Sequence, residues 1–379
     1  MSASLPIIEI SGTPAQRGRQ YGEAVGPQLE TALGYYAEAF GESAGLTWQQ
    51  VTSRAARWLE PVRDYAPHLL DEMQGIADGA GIDLLDVLAL NARGEVIYDD
   101  SFARMHEEEE PAEGCTSFAA YGSASGDGHV WAGQNWDWRA AVADTVVMLR
   151  IVQPPKPTLI MQVEAGQVGR QGASSAGIAL NANGLGGRFS DAVGLPQTVI
   201  RRTALDQDNI SDALRVLCHT RAHVASNALL TCREGFAIDL ETTPAGLGWM
   251  YPADGLLVHG NHYQAGIPGV LADGYRPLAA DSLVRVPRAE QGLRRLREST
   301  GSDESRKLIK QAMSDHLGFP ESLCTHTDPR RSTVRQWKTL VSSCVDLTAG
   351  DYNVTAGTPC DRNYQDLPWN LYDGPHAPS

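Results

Sequence analysis

Apolar residues recur at helical spacing through the first hundred positions, then change to strand-like alternation beyond position 115. Pro14 to Phe40, Trp48 to Tyr65 and Leu69 to Gly79 carry apolar side chains every three or four residues, interrupted by Pro61, Pro67, Gly79 and Gly81, and Leu84 to Ile97 adds a further helix. Beyond Cys115 the pattern predicts strands near 116–121, 129–135, 145–152 and 158–164, with Pro154, Pro155 and Pro157 marking a turn. Helices near 197–205 and 210–221 follow. Strands return at 228–232 and 236–241, around the Arg233-Glu234-Gly235 turn, and at 256–260. Two more helices, near 282–298 and 303–316, precede strands at 337–347 and 352–356, and the tail after Pro368 reads as loose. Strands, then helices, then strands again predict a layered α+β protein.

The segment after Cys115 reads as one hairpin. Thr116, Phe118 and Ala120 alternate along the first strand, Ser123 to Gly128 (SASGDG) forms the turn, and Val130 to Trp138 returns. A turn centred near Gly126 places position 115 opposite Asp137, and a bulge would shift that pairing. Upstream, the acidic run Glu107 to Glu110 leads into Gly114-Cys115, so a polar linker delivers a Gly-Cys bond to the head of a strand. That is where a chain would place a cysteine meant to cut its own backbone and then serve as an N-terminal nucleophile. Gly114 permits strained geometry at the bond. The freed α-amino group, with an ordinary pKa of about 7.7 to 8.0, can take the thiol proton, and Asp137 is placed to hold that amine. The plainer readings are a small apolar Cys opening a strand and an Asp capping a strand end.

GCTSF at Gly114 to Phe118, followed by GQNWDW at Gly133 to Trp138, resembles the acyl-coenzyme A:isopenicillin N acyltransferase family of autoproteolytic N-terminal-cysteine enzymes. The likeness spans nearly the whole chain: Glu9 to Gly26 and Leu70 to Arg93 before the cut, then Glu164 to Leu185, Gly194 to Asp206, Ala225 to Pro244 and Leu257 to Tyr263. The resemblance implies the four-layer αββα sandwich of N-terminal-nucleophile hydrolases. It also implies a zymogen cut into fragments 1–114 and 115–379 that stay together as one domain. Asn183 and Asn227 match positions where the family supplies oxyanion-hole amides, with Asn181 competing for the first. A family arginine that orients the site has three candidates here, Arg276, Arg330 and Arg331. GASSAG at Gly172 to Gly177 misses the G-x-S-x-G pattern, which argues against serine catalysis.

Composition narrows the partners. Over 379 residues the formal charge is -15, and Arg201-Arg202, Arg294-Arg295 and Arg330-Arg331 are isolated pairs, so nucleic acid and anionic membranes are excluded as main partners. No signal segment or 18-residue apolar span occurs, and the chain reads as soluble and cytoplasmic. Its six cysteines are scattered without a CxxC pair, which favours reduced thiols. His259 and His262 in HGNH lack further ligands nearby, so no metal is expected and Asn261 and His262 read as pocket lining. No cofactor is implied beyond a coenzyme A thioester as co-substrate, and no plain basic pocket for one is visible. The expected activity is hydrolysis of a small-molecule N-acyl amide through a Cys115 thioester. Transfer of the acyl group to an amine is the alternative. An inactive scaffold relative is disfavoured by the intact Cys115, Asp137, Asn183 and Asn227, and a peptidase acting on other chains by the only clear target being its own bond.

Overall fold

A computed structural model describes residues 5–97, 114–187, 189, 193–277 and 279–374. The acidic run at 107–110 lies outside the described residues. A short strand, β1 (Ile7–Ser11), opens the chain, followed by α1 (Pro14–Ala24), α2 (Gly26–Ala44), α3 (Trp48–Ala55), α4 (Leu59–Tyr65), α5 (Pro67–Ala80) and α6 (Leu84–Asn91). The helix expected over Pro14 to Phe40 is two helices. Pro27, which lacks an N–H and would crowd the carbonyl four residues back, sits in the first turn of α2, where neither defect matters.

After Cys115 come β2 (Thr116–Ala120), β3 (Trp131–Arg139), β4 (Val146–Val152), β5 (Leu159–Glu164), β6 (Gln171–Ser174) and β7 (Ile178–Asn181). Helices α7 (Gln197–Leu205) and α8 (Ile210–His219) precede β8 (Ser226–Cys232), β9 (Phe236–Thr243), β10 (Gly246–Met250) and β11 (Leu256–His259). Then α9 (Ser282–Leu293) and α10 (Ser302–Met313) lead to β12 (Trp337–Asp346), β13 (Asp351–Ala356) and β14 (Gln365–Asn370). The tail after Pro368 is therefore not loose as far as it is described: β14 reaches Asn370, Leu371 is buried, and the Tyr372 hydroxyl donates to the Leu347 carbonyl. Pro368 is tolerated because β14 is an edge strand.

One sheet has eight strands in the order β1-β4-β5-β6-β7-β8-β9-β10, the other six in the order β11-β2-β3-β12-β13-β14. The sheets face each other where β2 meets β8, β3 meets β7 and β11 meets β9. On the far side of the six-stranded sheet, Val286, Ala289 and Leu293 of α9 and Leu308, Ile309 and Ala312 of α10 cluster with Phe118, Trp131 and Val258. On the eight-stranded sheet α7 lies on β6 and β7, and α8 on β8 and β9. Helix, sheet, sheet and helix form the expected αββα sandwich. No helix among the described residues is long and apolar enough to cross a membrane.

The segment before Cys115 is interlocked with the rest. β1 pairs in parallel with β4. Helices α1 and α5 cross so closely that a Cβ on Gly18 would lie 2.0 Å from the Glu72 carbonyl oxygen, and one on Gly75 2.4 Å from that of Ala15, so both positions need glycine. From that crossing Glu72 accepts from Arg17 at 2.8 Å and from Arg202 of α7 at 2.8 Å, while Arg202 also reaches Asp206 at 2.9 Å, all four side chains being buried. Removing one partner of such a network leaves uncompensated buried charge, worth about 3–5 kcal/mol. Glu72→Gln is accordingly expected to lower stability by about that amount in urea unfolding; an unchanged midpoint would show that the two guanidiniums find other partners.

Candidate active site

Cys115 is fully buried at the head of β2, an interior strand of the six-stranded sheet, with its Sγ 3.8 Å from the Asp137 carbonyl oxygen. The hairpin register differs by one residue from the sequence expectation. Thr116 pairs with Asn135 and Ala120 with Trp131; continued outward, this puts Trp136 opposite Cys115 and Asp137 opposite Gly114. The cause is the turn, which is built on a 3-10 segment at Gly122–Ala124 and is centred between Ser125 and Gly126. The correction moves Asp137 closer to the chemistry. A Cβ on Gly114 would lie 3.3 Å from the Asp137 Cβ, so the carboxylate borders the Gly114-Cys115 bond itself.

Asp137 is held from its other side. Thr339 of β12 donates to Oδ1 at 2.6 Å, and Thr325 donates to Oδ2 at 3.1 Å. Burial pushes the Asp137 carboxyl up to about 8, against the opposing pull of Arg285 and of the two hydroxyls. Thr325 and Thr339 had no signal in the sequence, being two of many threonines; only the fold brings them to one carboxylate.

The arginine that reaches the Cys115 backbone is Arg285, which was not among the three candidates. It is fully buried on α9, and its Nη1 donates to the Cys115 carbonyl at 2.6 Å and to Thr116 Oγ1 at 2.7 Å, its Nη2 to Asn261 Oδ1 at 2.9 Å, and its Nε to Asp281 at 2.6 Å. Arg276 is exposed, while Arg330 and Arg331 pair with Asp328 and Glu321. Sequence reading passed over Arg285 because SLVRVPR looks like an ordinary amphipathic helix. Its hint was an arginine on the apolar stripe, beside Val286 and Ala289.

Asn183 and Asn227 do come together. The Asn183 N–H donates to Asn227 Oδ1, and the Asn227 N–H to the Asn183 carbonyl at 3.0 Å. Asn183 Nδ2 then crosses to the other sheet, donating to Ser117 Oγ at 3.0 Å and to the His259 carbonyl at 2.9 Å. Ser117 lies two residues from Cys115 and so on the same face of the strand, which puts Asn183 on the Cys115 side of the sheet. Asn227 differs. Its Nδ2 donates to Asp239 at 2.6 Å and its Oδ1 is taken by Asn183, which makes it a support for Asn183. Asn181 pairs in the ladder with Leu229.

Behind the asparagines lies a buried charge cluster. His259 Nε2 is 3.0 Å from Glu241 and 3.5 Å from Asp239. Burial opposes protonation of His259, but the two carboxylates outweigh it and raise its pKa; burial lifts Asp239 to about 6 while His259 and Asn227 pull it down. Gln134 adds a second strut across the sheets, exchanging hydrogen bonds with the Ala182 backbone at 2.8 and 3.0 Å. Asn261 donates to the Gly184 carbonyl at 3.0 Å while accepting from Arg285. His262 is half-buried against Ser282 Oγ at 2.8 Å, and burial, His259 and Arg285 bring its pKa down to about 4, so it is neutral near pH 7. A cleft lined by Arg93, Glu95, Arg170 and Arg201 includes Trp138, Gly184 and Ser226, the sequence neighbours of Asp137, Asn183 and Asn227.

Cys115 thus heads an interior strand between two facing sheets, with Arg285 on its carbonyl, Asp137 beside the preceding glycine and Asn183 on Ser117 two residues along. The model of the acyl-coenzyme A:6-aminopenicillanic acid acyl-transferase family matches residues 123–359. The chain is 30% identical over 321 residues to the 40 kDa form of acyl-coenzyme A:6-aminopenicillanic-acid-acyltransferase from Emericella nidulans, covering 84% of each protein. Among solved structures it is similar to a mutant of the conjugated bile acid hydrolase from Clostridium perfringens, with 12% identity and a TM-score of 0.47 over 69% of this chain and 94% of that one. It is also similar to penicillin V acylase from Agrobacterium tumefaciens, with 15% identity and a TM-score of 0.40 over 64% and 83% of the two chains. The chain belongs to the acyl-coenzyme A:6-aminopenicillanic acid acyl-transferase family.

Proposed function

We propose that the chain cuts itself between Gly114 and Cys115 and that the new N-terminal cysteine removes the acyl group from a small-molecule amide, releasing it to water. The observation carrying this reading is that Asp137 lies against Gly114, its Oδ2 3.6 Å from where a Gly114 Cβ would stand, with the buried Cys115 sulfur 3.8 Å from the Asp137 carbonyl oxygen. In the first step the thiol adds to the Gly114 carbonyl and its proton passes by way of Asp137 to the Cys115 nitrogen as the C–N bond breaks, leaving a thioester and a free α-amine. Water then hydrolyses that thioester, giving a Gly114 carboxylate and a free thiol. In turnover the amine takes the thiol proton, the sulfur attacks the substrate carbonyl, and the protonated amine delivers the proton to the leaving nitrogen. Once formed, the ammonium lies beside Asp137 and favours its ionised form.

Asn183 is the oxyanion donor in this reading, with Asn227 orienting it and the Asp239–His259–Glu241 cluster holding both. Asn261 and His262 line the pocket. Transfer to an amine in place of water is the second reading, favoured by the acyltransferase relative that shares 30% identity. Acyl-enzyme trapped on Cys115 from N-acyl amines and from acyl-coenzyme A, then chased with water or amines, separates the two. Formation from thioesters alone with decay only on adding amine would overturn the hydrolase reading.

The raised Asp137 pKa has a stability consequence. An acid whose folded value exceeds its ordinary value of about 3.9 favours folding when protonated; the benefit is full below pH about 4 and is lost as pH rises through about 8. In the uncut Cys115→Ala background, adding Asp137→Asn should flatten the fall in melting temperature between pH 5 and 9. Parallel curves for the two variants would mean that Asp137 ionises near its ordinary pH.

A further inference from the structure

Four side chains that are scattered in the sequence meet on the outer side of the loop carrying Thr325. His316 Nε2 lies 3.2 Å from His326 Nε2, and His326 Nε2 lies 3.6 Å from Cys324 Sγ and 3.4 Å from Cys360 Sγ. All four donor atoms fall within 4.8 Å of one another. We propose that His316, Cys324, His326 and Cys360 form a structural zinc site.

The spacing suits the ion. Zinc held tetrahedrally with Zn–N of about 2.0–2.1 Å and Zn–S of about 2.3 Å separates its nitrogen donors by about 3.3 Å and nitrogen from sulfur by about 3.6 Å. Two imidazoles and two thiols with no carboxylate among them form a donor set that selects zinc over magnesium or calcium. Four protein donors close the shell and leave no position for substrate, which marks a structural ion and not a catalytic one. Binding converts both thiols to thiolates and releases two protons, with no change of oxidation state. The cluster runs from buried Cys324 out to exposed His316, so the ion has an entry path.

The ion would tie three pieces of chain together. The turn at 316–326 is already closed by hydrogen bonds from the Cys324 N–H to the Asp315 carbonyl and from the His326 N–H to the Pro320 carbonyl, each 3.0 Å; Cys360 arrives from the far end of β13. Thr325, between two of the ligands, is the residue whose hydroxyl donates to Asp137. The site therefore positions the Asp137 carboxylate without touching substrate. All four ligands lie after Cys115, so the site persists whether or not the chain is cut.

Full-length protein from zinc-supplemented culture, purified without chelator, is expected to carry about one zinc per chain by mass-spectrometric elemental analysis. Cobalt(II) exchanged into it should give the intense visible bands of a tetrahedral site together with thiolate-to-cobalt charge transfer in the near ultraviolet. Cys360→Ser should lose the metal, while Cys218→Ser, an exposed thiol elsewhere, should keep it. If Cys360→Ser does not fold, the wild type decides: titration of its thiols with a mercurial should release zinc to a colorimetric chelator in step with modification. Substoichiometric zinc with no cobalt spectrum overturns the proposal. So does an intact mass two hydrogens short of the reduced chain with Cys324 linked to Cys360.

Discussion

Cys115→Ala should yield one uncut chain with no turnover, whereas the wild type should run on a denaturing gel as two fragments of roughly 12 and 28 kDa by length. In the proposed mechanism one sulfur serves both reactions, because the atom that attacks the Gly114 carbonyl is the atom that later attacks the substrate. No other thiol can replace it. Cys344 is buried on β12, Cys218 is exposed on α8, Cys232 ends β8, and Cys324 and Cys360 cluster with His316 and His326, so none heads β2 beside the Gly114-Cys115 bond. The expected loss in turnover is at least about 10⁴-fold, the scale seen when a nucleophile is removed and only binding and the oxyanion donors remain. Under native conditions the wild-type fragments should co-elute, since β1 stays hydrogen-bonded to β4 and Glu72 stays bound to Arg202 across the cut. Cleaved Cys115→Ala protein, or a wild type that turns over while intact, would refute the shared nucleophile.

Arg285→Gln should reduce both processing and turnover by about 10²- to 10³-fold and move the acidic limb of the rate profile to higher pH. Arg285 makes four polar contacts and none to solvent: the Cys115 carbonyl, Thr116, Asn261 and Asp281 all depend on it. Its positive charge also pulls the Asp137 carboxyl down from where burial alone would place it. Without that charge the carboxylate forms only at higher pH, so a step that needs ionised Asp137 shifts to the alkaline side. Arg285→Lys should keep part of the pH position but little of the rate, since an ammonium cannot bridge the Cys115 carbonyl and Asn261 at once. A purely structural arginine would lower the rate with no movement of the profile, and that result would remove Arg285 from the site. Asn227→Ala should cost less than Asn183→Ala if Asn227 only supports its neighbour; equal losses would return it to direct contact with the oxyanion.

Long elements with a strong period were legible in the sequence: α5, α7, α8, β4, β5, β9 and β12 all lie where the pattern predicts. β6, β7 and β10 were not. β6 and β7 are four-residue strands buried throughout and β10 is a five-residue, largely exposed edge strand, so none shows a buried-exposed alternation. β1 was missed as a lone strand ahead of a helical region, because its parallel partner β4 lies far along the chain. The hairpin around Gly126 was legible as a unit but not in register, since the 3-10 turn adds a half-step that composition does not reveal.

By itself the sequence pointed to Cys115 at the head of a strand with the Asp137 carboxylate folded back near it, and its resemblance to a family pointed to Asn183 and Asn227; the structure brings Asp137 beside Gly114 and pairs the two asparagines. Only the tertiary structure decided how they are held. Arg285 is 170 positions from the carbonyl it grips, Thr325 and Thr339 are 188 and 202 positions from Asp137, and His316, Cys324, His326 and Cys360 acquire a common centre only when α10, the following loop and the end of β13 are packed together. The physical reason is the same in each case. A charge or polar group buried between layers must be met by partners from whichever elements the sheet order brings alongside, and that order is set by the packing of the whole core, not by spacing in the chain.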